Sequence, residues 1–97
     1  MRIHDFDWDS GNRAKCQKHG VSVVEIEQMM RGDPIIAPDI KHSDAEDRYI
    51  AVGTSPAGRP MFVAFTYRAR GGKTLVRPVS ARYMHKKEAE SYEEESP

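Results

Sequence analysis

Three short pairings in this 97-residue chain could do chemistry. Ser80 and Arg82 lie two apart, Glu46 and Arg48 repeat that spacing, and Lys18 stands beside His19 just ahead of Gly20 and Val21. Residues two apart in an extended chain share a face. Glu46 and Arg48 therefore offer a carboxylate base held by a guanidinium, or simply a surface ion pair worth under about 1 kcal/mol. Arg82 offers a planar, permanently charged fork that grips phosphate with two N–H groups; its plainer use is to cap a neighbouring loop. His19, near the negative end of a helix, is favoured in its charged form. It could serve as a general acid or a phosphate contact, or it could only satisfy the last helix carbonyls before Gly20.

Other chemistries have less support. His4, His19, His42 and His85 are scattered, with no H-x-x-x-H spacing and no cysteine pair, so no metal site is expected. His42 and Glu46 lie four apart, but in a segment with loop composition. No phosphate-binding glycine loop and no dinucleotide fingerprint is present, so no cofactor is expected either. Cations, one or two histidines and a few carboxylates remain. That set suits RNA cleavage, because RNA brings its own nucleophile, the 2′-hydroxyl, to the phosphate. The protein then supplies a proton acceptor, a proton donor and positive charge on the phosphate oxygens.

Charge distribution points the same way. The formal net charge is zero, yet from Arg48 to Lys87 there are nine basic residues and no Asp or Glu. Ten acids fall in the first 47 residues and five in the last ten. Such segregation is expected to give one basic surface that attracts polyanions by counterion release, or else an ordinary solvated sheet face. Arg68, Lys73, Arg77, Ser80 and Tyr92 are the candidate RNA contacts beyond the pairings above. Tyr49, Tyr67, Tyr83 and Tyr92 could stack on unpaired bases or serve as amphipathic edges of the core.

The elements that must hold these residues are few. A chain of this length makes one domain and buries roughly two-thirds of its unfolded surface, too little for a deep closed cavity. Apolar residues make up 38% and charged ones 31%, so a thin core lies under a charged surface. A single cysteine, Cys16, excludes an internal disulfide; with no signal peptide and no apolar run long enough for a bilayer, a cytoplasmic protein is expected.

Ile3, Phe6 and Trp8 alternate with polar residues and predict a short opening strand. Asp9 or Ser10 caps a helix that runs through Lys15, Cys16 and Lys18 and stops at Gly20. Ser22 and Glu25 form a capping box for a second helix whose stripe is Val23, Ile26, Met29 and Met30, ended by Gly32, Asp33 and Pro34.

Residues 35–37 make a brief strand, and 38–47 a polar loop. Three strands follow, over 48–54, 60–67 and 74–81, joined by turns at Pro56 and Gly58 and at Gly71 and Gly72. Pro78 requires an edge or a bulge. A last helix over 85–94 carries Lys86 and Lys87 at its start and Glu93 and Glu94 at its end, both against the macrodipole, so it must depend on docking. Residues 91–97 read as a frayed acidic tail. The fold class is α+β: an antiparallel sheet of three to five strands with two N-terminal helices and a C-terminal helix.

In that order the motifs resemble those of the BrnT toxins. Phe6-x-Trp8-Asp9, then Asn12, Lys15 and Cys16, then Lys18-His19-Gly20-Val21-Ser22 look like the family's opening. Glu46-x-Arg48, Gly53, the strand around 62–66, and Ser80-Ala81-Arg82 followed by Glu88 and Tyr92 continue the match, from about Phe6 to Tyr92. The resemblance implies a RelE-like fold and a ribonuclease of a toxin–antitoxin pair. Its implied partner is a BrnA-like DNA-binding antitoxin, with a higher assembly through the antitoxin dimer.

Lys18, His19, Glu46, Arg48, Ser80, Arg82, Glu88 and Tyr92 fall on motif positions. This chain has Cys16 where many members have Asn, and His85 where many have a Thr that opens a capping box. Three readings stand open here: a metal-independent endoribonuclease toxin, a non-catalytic RNA-binding module, and a protein whose basic face receives an acidic partner.

Overall fold

The structure is a computed structural model and describes residues 5–42 and 45–95. Strand β1 (Asp5–Phe6) leads into helices α1 (Ser10–Gln17) and α2 (Val23–Arg31). Strand β2 (Ile35–Pro38), a single helical turn at Ile40–His42, strands β3 (Tyr49–Thr54), β4 (Pro60–Arg70) and β5 (Lys73–Tyr83), and helix α3 (Lys86–Glu95) follow. The architecture is α+β, as the sequence predicts, with one five-stranded sheet in the order β1-β5-β4-β3-β2.

Local chemistry sets both N-terminal helices. Asp9 caps α1: its carboxylate accepts from the Asn12 N–H while the Asn12 side chain accepts from the Asp9 N–H. Asn12 also donates to the Asp7 and Pro78 carbonyls at 2.9 and 2.8 Å, which ties α1 to β5. Lys18 ends the helix, and Gly20 takes the positive φ of 88° that a side chain would resist. The Ser22–Glu25 capping box forms as expected. Cys16, Ile26, Met29 and Met30 bury against Met61, Val63, Phe65, Val76 and Ala81, so α1 and α2 cover one face of the sheet.

Gly53 lies under α2, where an added Cβ would stand 2.7 Å from the Met29 Sδ. The opposite face carries a smaller cluster of Val52, Met84 and Ala89 with Ile50, Phe62 and Tyr92, which seats α3. Among the described residues no helix is long and apolar enough to cross a membrane.

The structure departs from expectation at several points, while Pro78 takes the bulge that is one of its two expected settings. The sheet is mixed, because β1 runs parallel to β5, with Phe6 opposite Val76. Burial of Phe6 beneath the helices requires that seat, and it makes β5 an internal strand. Pro78 therefore marks a bulge: Ala64 faces Ser80 and Phe65 faces Pro78, leaving Val79 over. Trp8 lies beyond the strand, its indole N–H on Glu27 at 2.9 Å, while Ile3 lies outside the described residues.

The β4–β5 hairpin is longer than expected, since Gly71 and Gly72 both take positive φ and let pairing run to Arg70 and Lys73. Pro38 belongs to β2 on the outer edge, where its missing N–H costs no ladder bond. Residues 91–95 continue α3, and 96–97 of the expected tail lie outside the described residues.

Candidate active site

Alternation along the strands decides which side chains meet. Met61, Val63 and Phe65 point into the helical layer, so Phe62, Ala64, Thr66 and Arg68 lie on the other face of β4. Their partners on β5 are Arg82, Ser80, Arg77 and Leu75. The expected pairing of Ser80 with Arg82 is thus realised on the face that α1 and α2 leave open, beside the docked α3.

Arg82 is the best-held group there. Glu88 of α3 accepts from both of its terminal nitrogens, at 2.9 and 2.8 Å. The guanidinium carbon lies 4.7 Å from the centroid of Phe62, its neighbour across the ladder. Tyr92 meets the same Phe62 ring at 6.4 Å. The Glu88 hydrogen bond raises the Arg82 pKa, and Arg82 in turn lowers that of Glu88. Such a guanidinium is charged, oriented and half-exposed, as a phosphate ligand must be.

Glu46 and Arg48 do not act as a strand pair. Glu46 sits in a bend before β3 and binds Arg68 instead, with Oε1 accepting from Nη2 at 3.2 Å. Arg68 also donates to the Thr66 hydroxyl at 3.2 Å, and the Glu46 hydrogen bond raises its pKa. Arg48 immediately precedes β3 with the parity of Ile50 and Val52, is half-buried, and has its Nε buried. Lys73 is exposed at the hairpin tip.

Arg77 is claimed from two sides, by Asp9 at 2.8 Å and Asp7 at 3.5 Å, while Arg70 meets Asp7 at 3.3 Å. The Asn12 backbone N–H, and then Arg77, lower the Asp9 pKa.

The basic stretch is consequently not a bare basic face. Asp7, Asp9, Glu46 and Glu88, all from outside it, fold back onto Arg70, Arg77, Arg68 and Arg82. Sequence reasoning named Glu46, Asp9 and Glu88 but missed these pairings, because the partners of Asp7, Asp9 and Glu46 lie far away along the chain. It also missed Phe62 and Thr66, which the alternation in β4 could have placed.

Lys18 and His19 are not brought to this face. Both are exposed at the end of α1, whose Cys16 packs into the opposite layer. Among the described residues no three His, Cys, Asp or Glu side chains come together as a metal site would require.

A search of curated proteins returns no match. A profile of the family described as "Ribonuclease toxin, BrnT, of type II toxin-antitoxin system" matches residues 8–88, a span that runs from Trp8 to the carboxylate holding Arg82. The chain belongs to that family of ribonuclease toxins.

Proposed function

We propose that this toxin is a metal-independent endoribonuclease whose working surface is the open face of the sheet. Family membership implies an RNA target and an antitoxin partner. The observation that carries the reading is a half-exposed Arg82, stacked on Phe62, aligned by Glu88, and beside Ser80 on the face that α1 and α2 do not cover. In the proposed step the 2′-oxygen attacks the adjacent phosphorus, and the bond from phosphorus to the 5′-oxygen breaks. Water, to which Arg82 is half-exposed, accepts the 2′-hydroxyl proton and supplies one to the departing 5′-oxygen. Glu46 is held instead by Arg68, far along β4 from Phe62, the cross-strand partner of Arg82.

Arg82 and Arg48 stabilise the charge that builds on the phosphate oxygens, the kind of contribution worth about 3–4 kcal/mol at other oxyanion sites. Arg68, Arg77, Lys73, Ser80 and Tyr92 line the path of the strand. The partner that neutralises the toxin is a BrnA-like DNA-binding protein, and both work in the cytoplasm.

The test is incubation of pure protein with RNA in excess EDTA. Cleavage that leaves a 2′,3′-cyclic phosphate is expected. Activity that appears only when a divalent ion is added would refute the mechanism.

A further inference from the structure

Arg68, Arg70, Arg77 and Arg82 each meet a carboxylate, but a second group of cations does not. Arg59, Lys86 and Lys87 form no ion pair among the described residues. Arg59 lines a cleft of about 300 Å³ at one end of the sheet together with Tyr83, Met84 and His85, and Lys86 and Lys87 follow His85 directly in the chain as exposed residues.

Arg59 is held there without being neutralised by contact. Its guanidinium lies 3.4 Å from the centroid of Tyr83, and the Tyr83 hydroxyl donates to Glu25 at 2.7 Å. Glu25 is itself fixed by Ser22 in the α2 capping box, so a helix cap orients the ring that orients the arginine. The result is a flat cation, held on an aromatic ring, that lines the cleft.

We propose that this cleft is a second RNA subsite, which binds a nucleotide flanking the cleaved bond by stacking on Arg59 and by charge from Lys86 and Lys87. The proposal rests on RNA being the substrate, not on the role given to Arg82. Tyr83 and Arg82 are successive in β5 and lie on opposite faces, so a strand that rounds the end of the sheet can touch both sites. The cleft matches one nucleotide and is small for a helix or strand of a protein partner. Base stacking on a guanidinium held by an aromatic ring tolerates any sequence. Lys86 and Lys87 stand in the first turn of α3, where the macrodipole disfavours them; a bound polyanion would offset that cost.

The full-length toxin should be titrated with fluorescent single-stranded RNA in which every 2′-oxygen is methylated, so that binding is read without cleavage. Arg59→Ala, and separately the pair Lys86→Glu and Lys87→Glu, should each raise Kd about tenfold or more. Arg59→Lys, which keeps charge and loses the stack, should fall between. Both lysines are exposed, so the double variant decides the matter even if Arg59→Ala melts early.

An unchanged Kd in the double variant overturns the proposal. So does weaker antitoxin binding at unchanged RNA affinity, which would assign the cleft to the protein partner. If Arg82→Ala cleaves at the parental rate while the double variant binds RNA poorly, the catalytic reading fails and this one stands.

Discussion

Glu88 reaches from helix α3 to grip both terminal nitrogens of Arg82, the two donors that a phosphate would use. RNA must therefore share or displace that carboxylate, while Phe62 keeps the guanidinium plane in place from below. Arg82→Ala should lower RNA cleavage by about 10²–10³-fold, as loss of an oxyanion donor does elsewhere. Its melting should fall only modestly, because the side chain is half-exposed and its contacts hold the end helix rather than the core. Arg48→Ala should also lose activity, but with some loss of stability, since that side chain is half-buried. Cleavage and thermal melting measured on the same preparations test both, and a parental rate for Arg82→Ala would remove it from the mechanism.

The same contact gives α3 a pH dependence with a definite sign. Arg82 lowers the pKa of Glu88 below the usual carboxylate range. A depressed folded pKa means that the stabilisation is complete above the unfolded value, about 4.3 for Glu, and is lost as pH falls through the lower folded value. Helix α3 should loosen on acidification. Amide hydrogen exchange between pH 6 and pH 3 reads this, and Glu88→Gln should show weaker α3 protection already at pH 6. Equal protection of the variant and the parent at pH 6 would show that the contact does not hold the helix.

How much of this was legible in the sequence depends on distance along the chain. The Ser22–Glu25 box, the stop at Gly20, and the Gly71–Gly72 turn were all readable because each is decided by neighbours. Ser80 and Arg82 were readable as a pair because alternation is local. The parallel seat of β1 was not: two residues carry no period, and the partner of Phe6 is Val76. The pairings that neutralise the arginines were hidden for the same reason, as Asp7 meets Arg70 across 63 positions. Charge segregation in sequence predicted a basic face, and the fold returned four carboxylates to it.

Cys16 offers a test of the helical layer. It is fully buried in the core, and burial pushes its thiol pKa up to about 11. Since the thiolate is the reactive form, a disulfide reagent at pH 8 should not modify the native protein. The thiol should react at the rate at which α1 opens, and at once in denaturant. Rapid stoichiometric labelling of the native chain would mean that α1 does not stay packed on β5.

The position of His19 separates a helix-end role from a catalytic one. His19 and Lys18 are exposed where α1 ends, on the side of the sheet opposite Ser80 and Arg82. A general acid must come within hydrogen-bond reach of the atom it protonates, and its removal costs typically 10²–10⁴-fold. His19→Ala and Lys18→Ala should therefore fall far short of that loss, with melting near the parent because neither side chain is buried. Gly20→Ala should behave differently: it strains a backbone held at φ 88°, at a cost of about 1 kcal/mol or more, and lowers melting while leaving the open face intact. If His19→Ala instead cuts cleavage a hundredfold while melting normally, the chemistry belongs to the helical side of the molecule, and the open sheet face loses its claim.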